Sequence, residues 1–131
     1  HKKKTHDELL KNTFFINFRD DSSKLRNLYN AVDLSFCVSR HENIPYSVIE
    51  SMSCGVPNIS LDTGGLGEII KHKKTGWLLK STKIPNIEPA VRWSLTKNNY
   101  SRLSKNAINL VKKEFSYPKI RKDYEKLFKS I

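Results

Sequence analysis

Four short apolar segments occur in the first 80 residues, and polar or amphipathic stretches separate them. Aromatic and branched side chains are frequent in these segments, and Gly, Pro, Asn, Asp or Ser residues lie at their ends, which predicts strands. They are residues 13–18, 34–38, 57–61 and 77–79. Because helical segments lie between them, the strands are expected to pair in parallel. The pattern therefore predicts an α/β sheet with helices on both faces.

The segments between the strands carry apolar residues at helical spacing. Residues 25–32 predict a helix that Ser23 is expected to cap. A second helix is predicted over residues 46–54, because Pro45 suits the first helical position and Gly55 suits a left-handed end. With these two helices, predicted strands and helices alternate along the chain.

From about residue 85 onwards the spacing is helical throughout, which predicts a helical tail over residues 85–131. Pro118 fits the start of the last helix. In that helix Ile120, Tyr124 and Leu127 share one face, which we expect to point inward.

Length and composition favour a single domain over residues 1–131. A hydrophobic content of 37% is enough for one core. No apolar run reaches the length of a membrane span, and the first residues lack the apolar stretch of a signal peptide, so we expect a cytoplasmic protein. Cys37 and Cys54 are too few for a disulfide framework and lie in apolar segments, which predicts reduced thiols in the core.

The chain is strongly basic, with a net charge of +11. Residues 101–131 contain nine Lys or Arg and three acidic residues. This excess attracts anions, whether nucleotide diphosphates, anionic lipid or nucleic acid. A solvated helix face explains the same charge without any partner.

Candidate chemistry centres on Glu42 and Glu50, which lie eight residues apart across a loop-to-helix junction. In open α/β sheets, ligands bind at the carboxyl edge, where helix starts offer free N–H groups and a positive dipole end. A diphosphate bound there would have one flanking group near Glu42 and the other near Glu50. We therefore expect both carboxylates to border one crevice, although two surface glutamates at this spacing are also commonplace.

The surrounding motifs resemble the donor-site signature of glycosyltransferase family 4, a family of the GT-B fold. The resemblance rests on three stretches in order, residues 39–57, 64–70 and 75–78, with paired glutamates, a Cys-Gly-x-Pro helix end, a Gly-Gly-x-x-Glu turn and a Gly-x-Leu strand. It implies a Rossmann-like domain, the C-terminal half of a bacterial-type GT-B enzyme, that binds a nucleotide sugar.

The resemblance also implies a role for each glutamate. Glu42 matches the first of the family's pair, the catalytic one, which lies near the transferred sugar and supports the positive charge that develops at its anomeric carbon. Glu50 matches the second, which hydrogen-bonds the ribose of the nucleoside.

Further donor-binding positions follow from the same resemblance. The backbone amides of Asn43, Ile44 and Tyr46 match those that approach the sugar or the diphosphate, and Gly64 and Gly65 match the glycine turn of the same cleft. The family often has Gly-Phe-Gly after the first glutamate, whereas this chain has Asn-Ile-Pro, which leaves the sugar contacts open. An ordinary tight turn is the alternative for the two glycines.

The implied reaction is retaining transfer of a sugar from a nucleotide diphosphate sugar to a glycan or lipid-linked acceptor, in polysaccharide or lipopolysaccharide synthesis. No metal or other cofactor is expected, because the sequence has no Asp-x-Asp motif. In the family, an acceptor-binding N-terminal domain and an Arg and Lys phosphate clamp precede this region. We therefore expect these 131 residues alone to lack activity.

Two alternatives on related architecture stay open at this point, a non-catalytic sugar-nucleotide-binding module and a sugar-nucleotide epimerase. Nucleic-acid binding is suggested by charge alone and no RNA or DNA motif accompanies it, so we do not expect it. The basic tail adds a second hypothesis, attachment to the inner face of the cytoplasmic membrane.

Overall fold

The structure is a computed structural model that describes residues 21–80 and 86–131, together with residues 11, 13, 14 and 16. Helices and strands alternate as far as residue 79, and three helices follow. In chain order the elements are α1 (Ser22–Asn30), β1 (Ser35–Cys37), α2 (Tyr46–Ser53), β2 (Asn58–Leu61), α3 (Leu66–Ile69), β3 (Gly76–Leu79), α4 (Glu88–Ser94), α5 (Lys97–Glu114) and α6 (Tyr117–Lys129).

The three strands form a parallel sheet in the order β1-β2-β3. Ile59 in the central strand pairs with Phe36 on one side and Trp77 on the other. The predicted parallel α/β arrangement is therefore confirmed for these strands. Half of the first predicted strand, residues 13–18, lies outside the described residues; its described members Thr13, Phe14 and Ile16 are exposed and belong to no strand.

Helices pack on both faces of the sheet, as predicted. On one face, Cys37 of β1 joins Val48 and Met52 of α2 and Ala107 of α5 in one buried cluster. On the other face, β2 and β3 pack against Ala90 of α4 in a second cluster. All four residues of β2 are buried, because helices cover both of its sides.

Residue periodicity explains why α5 lies against α2. Leu103, Ala107 and Val111 recur every four residues and are its buried positions. The helices come close where α2 ends, since a Cβ at Gly55 would lie 2.7 Å from Ser104 Oγ. Gly55 has φ +78°, the left-handed conformation that the sequence predicts for this helix end.

The structure differs from two local predictions. Asp21, not Ser23, caps α1, because its carboxylate accepts hydrogen bonds from the N–H groups of Ser23 and Lys24. Both cysteines are free thiols, as predicted, but only Cys37 is buried, while Cys54 is partly buried at the end of α2.

The prediction that the last helix turns its apolar face inward is wrong. Ile120, Tyr124 and Leu127 are 39%, 58% and 54% exposed, and α6 has no buried residue. The helix does begin beside Pro118, as predicted. Helical periodicity identifies a shared face but does not specify a neighbour, and the described part of the chain supplies none that buries this one.

Candidate functional site

A glycine turn lies directly against the loop that follows β1. A Cβ on Gly64 would lie 1.7 Å from the carbonyl oxygen of Glu42, and one on Gly65 would lie 2.5 Å from that of Asn43. The N–H of Gly65 donates to the Asn43 carbonyl at 2.9 Å. Gly64 also has φ +53°, a backbone conformation that residues with side chains rarely adopt. These contacts explain why glycine occupies both positions.

The glycine turn and the loop border an open pocket at the carboxyl end of β1. Its volume is about 440 Å³, and its lining residues are Arg40, His41, Glu42, Asn43 and Gly64. A side-chain hydrogen bond also holds the loop, since the Thr63 hydroxyl donates to the Ser39 carbonyl at 3.2 Å. The structure thus brings together three of the predicted residues, Glu42, Asn43 and Gly64.

Arg40 belongs to this pocket and was not among the predicted site residues. Its signal in the sequence is its position, two residues before Glu42 and just beyond a strand's carboxyl end. A guanidinium there adds a permanent positive charge to the pocket that Glu42 also lines.

Helix α2 starts next to this loop. It begins at Tyr46, and Pro45 precedes it in an extended conformation, without a side-chain hydrogen bond that caps the helix. The Val48 N–H donates to the Pro45 carbonyl at 3.1 Å. The N–H groups of Tyr46 and Ser47 precede this first bond and have no partner within the helix, so they can bind an anion at this end. The Tyr46 side chain is exposed. The Ile44 side chain packs against the core, so only the backbone of Ile44 can contact a ligand.

Glu50 lies in a different pocket. This second pocket, of about 170 Å³, is lined by residues of α1 together with Glu50, Ser53 and Cys54 of α2 and its end. The two pockets share no lining residue. The expectation that both carboxylates border one crevice is therefore wrong. Glu42 lines the pocket of the loop, whereas Glu50, about a turn into α2, lines a separate pocket that α1 helps to form.

Tyr29 of α1 contacts Glu50 directly. Its hydroxyl donates to Glu50 Oε2 at 3.3 Å. Burial, together with the negative charge of Glu50, raises the pKa of Tyr29 to about 12. Tyr29 is therefore a protonated donor at neutral pH. The sequence indicated only that it belongs to a helix, because apolar spacing does not reveal where a hydroxyl points.

Neither a cluster of metal ligands nor a membrane-spanning helix occurs among the described residues. No three His, Cys, Asp or Glu side chains lie close enough together there to hold a metal ion. No helix in this part of the chain has the length and apolar character of a membrane span. The expectation that no metal is required stays a prediction.

Solved structures show which fold this chain has. The C-terminal domain of a glycosyl transferase group 1 family protein (LpcC) from Francisella tularensis matches with a TM-score of 0.62 and 24% identity, over 79% of this chain and 53% of that one. Anabaena Alr3699/HepE in complex with UDP-glucose matches with a TM-score of 0.68 and 23% identity, over 79% of this chain and 29% of that one. The fold is thus that of GT-B glycosyltransferase C-terminal domains.

Sequence comparison identifies the family. The profile described as "Glycosyl transferases group 1" matches residues 1–110, so the chain belongs to that family. A curated relative, the N-acetyl-alpha-D-glucosaminyl L-malate synthase of Bacillus anthracis, is 28% identical over 97 residues. That match covers 73% of this chain and 26% of the relative. The chain thus spans about a quarter of the synthase.

Proposed function

We propose that this chain is the donor-binding domain of a retaining glycosyltransferase of the family 4 type, a single nucleotide-sugar-binding domain over residues 1–131. The observation that carries the proposal is the pocket at the carboxyl end of β1, where Glu42 and Gly64 lie beside the uncapped start of α2. An acid, amide donors and a cation at one sheet edge suit the sugar and diphosphate of a donor. UDP-glucose in the Anabaena neighbour supports this class of ligand.

In this proposal the first pocket receives the sugar and the diphosphate. Glu42 faces the transferred sugar and stabilises the positive charge that develops at the anomeric carbon. The backbone amides of Asn43, Ile44 and Tyr46, with the Arg40 guanidinium, stabilise the negative charge of the leaving diphosphate. Protein groups can thereby serve the leaving group without a metal, which stays our prediction.

The second pocket receives the nucleoside. Glu50 is the fifth residue of α2, so it lies roughly 6 Å along the helix axis from the first residue, Tyr46. A nucleotide sugar is an elongated molecule with its diphosphate in the middle. The first pocket lies before the start of α2, and the second is lined by its later residues Glu50 and Ser53. In this proposal one elongated ligand therefore reaches along α2 from the first pocket to the second.

The acceptor side of the reaction belongs to the rest of the protein in this proposal. We propose a glycan or lipid-linked acceptor that binds an N-terminal domain, and a cytoplasmic location at the membrane's inner face. The basic residues of α5 and α6 support attraction to anionic lipid. Flotation of the natural protein with vesicles should depend on anionic lipid, and equal partitioning without it would refute this attachment.

The reaction class is tested by incubating the natural protein with nucleotide sugars and determining the product by NMR. We expect glycosides with the anomeric configuration of the donor. A product of inverted configuration would refute the retaining mechanism. Donor binding without any transfer to glycan or lipid-linked acceptors would favour a non-catalytic binding module instead. The isolated 131 residues should transfer no sugar, and robust transfer by them would show that the domain suffices.

A further inference from the structure

We propose that Tyr29 is a positioning residue that orients the Glu50 carboxylate toward the hydroxyls of a bound nucleoside ribose. Helix α1 then contributes to donor recognition together with the loop and α2. The inference rests on the proposed function, because it assumes that Glu50 faces the nucleoside.

The first support is the way in which Glu50 is held. Its side chain lies on an exposed face of α2, and among the described residues Tyr29 is its one side-chain hydrogen-bond partner. No cation of the described part of the chain forms an ion pair with it. A free glutamate samples several rotamers, so a fixed donor reduces the number of conformations that binding must select.

The geometry of this hydrogen bond leaves part of the carboxylate open. The Tyr29 hydroxyl lies 3.3 Å from Glu50 Oε2. Because the hydroxyl approaches Oε2, the other carboxylate oxygen stays available for ligand hydroxyls.

The shape of the pocket supports the same role. Its α1 wall consists of Ser22, Leu25, Arg26 and Tyr29, so an apolar side chain and three polar ones face Glu50. Its volume of about 170 Å³ is below the 300 to 1,000 Å³ that whole drug-sized ligands require. The pocket therefore fits one end of a nucleotide sugar, and its acceptor oxygens favour the end that carries vicinal hydroxyls.

The protonation state of Tyr29 is consistent with donation throughout the physiological range. Burial and the adjacent Glu50 raise its pKa to about 12. A phenol that stays protonated offers one hydrogen, and the described contacts direct that hydrogen to Glu50. Its function is thus to hold a carboxylate, without taking part in the transfer itself.

The test is a double-mutant cycle of Tyr29→Phe and Glu50→Ala in the natural protein. Calorimetry measures the Kd of UDP, GDP and ADP, and continues with the tightest binder and its 2′-deoxy form. Tyr29→Phe should weaken binding about 3- to 10-fold, the value of one hydrogen bond. It should raise KM for the donor and leave kcat unchanged. The matched control is Tyr100→Phe, a partly buried tyrosine on α5, which should bind as wild type.

The cycle distinguishes the outcomes. The double variant should bind no more weakly than Glu50→Ala alone, and Tyr29→Phe should discriminate less than wild type against the 2′-deoxy nucleotide. Unchanged binding in Tyr29→Phe, or fully additive losses, would overturn the inference and leave the proposed function standing. No effect of Glu50→Ala, or no binding of any nucleotide by the wild type, would refute the assignment of the nucleoside pocket itself.

Discussion

The two pockets are built in different ways, although one segment, residues 40–54, contributes to both. The Glu42 pocket is held by backbone against backbone, since the glycine turn at residues 64–65 touches the carbonyls of the loop. The Glu50 pocket is formed by side chains of α1 and α2, and the hydrogen bond from the Tyr29 hydroxyl to Glu50 joins the two helices. The difference teaches that the Glu42 pocket should tolerate almost no change, whereas the Glu50 pocket should tolerate substitution with graded loss.

The largest effect is expected at Gly64. In Gly64→Ala the new Cβ would overlap the Glu42 carbonyl and φ +53° would be strained, so the loop must move. Backbone strain of this kind costs about 1–3 kcal/mol. A shift of about 1 Å at a reacting site lowers turnover on the order of 100-fold. Steady-state kinetics and urea unfolding of the variant measure both losses.

Gly67→Ala is the matched control for this comparison. Its Cβ would meet only the flexible Asp62 carboxylate, at 3.1 Å, and Gly67 lies within helix α3, where alanine is favoured. Turnover and stability should stay close to wild type. If Gly64→Ala behaved like Gly67→Ala, the backbone-built pocket would not control the reaction.

Glu42→Gln should lower turnover about 100-fold with little change in donor affinity. The amide keeps the shape of the side chain but loses the negative charge that, in our proposal, stabilises the transition state. A kcat measurement with a parallel Kd by calorimetry separates the two quantities, and Glu88→Gln on the surface of α4 serves as control. An equal loss in Kd and none in kcat would assign Glu42 to binding instead.

Glu50→Ala should have the opposite profile, weaker nucleotide binding by roughly 10-fold with turnover retained at saturating donor. Removing a carboxylate that accepts hydrogen bonds from a ligand costs about 1.5–3 kcal/mol, and solvent exposure of this side chain places the loss at the lower end. Calorimetric titration with the nucleotide checks it. Loss of turnover without loss of affinity would reverse the proposed roles of the two pockets.

The smallest effect is expected away from both pockets, at His72. Burial, followed by the charges of Lys73 and Lys80, lowers the pKa of His72, and its Nδ1 accepts the Leu78 N–H. Folding favours the neutral form, so this contribution to stability is present above the unfolded pKa of about 6.5 and is lost as pH falls through the folded value.

Urea unfolding at pH 7.5 and pH 5.5 measures this dependence. His72→Asn keeps an acceptor near Leu78 without a group that titrates, so its stability should fall less with acid than that of the wild type. An identical fall in both proteins would place the acid sensitivity elsewhere, and would make the pockets candidates for it.

Much of the fold and part of the site could be predicted from the sequence. The alternation of strands with helices predicted the parallel sheet. Gly55 and Pro45 predicted the ends of α2, because the two residue types determine which backbone conformations are available there. Glu42, Asn43 and Gly64 were predicted as site residues, and they line one pocket. The family resemblance and the loop-to-helix junction pointed to these residues, and that a donor binds them stays a prediction.

Features that depend on distant neighbours could not be predicted. The face of Ile120, Tyr124 and Leu127 was expected to be buried, but burial depends on what packs against a helix, which periodicity does not encode. The contact of Tyr29 with Glu50 joins residues 21 positions apart, and the separation of the two glutamates into two pockets depends on where α1 lies. These relations appear only in three dimensions.

The most direct test of the central claim, that one donor molecule spans both pockets, is a crystal structure of the natural protein with a nucleotide sugar. We expect the sugar hydroxyls within hydrogen-bond distance of Glu42, the diphosphate at the start of α2, and the ribose within hydrogen-bond distance of Glu50. A ligand confined to one pocket, with the other glutamate facing solvent, would contradict the claim.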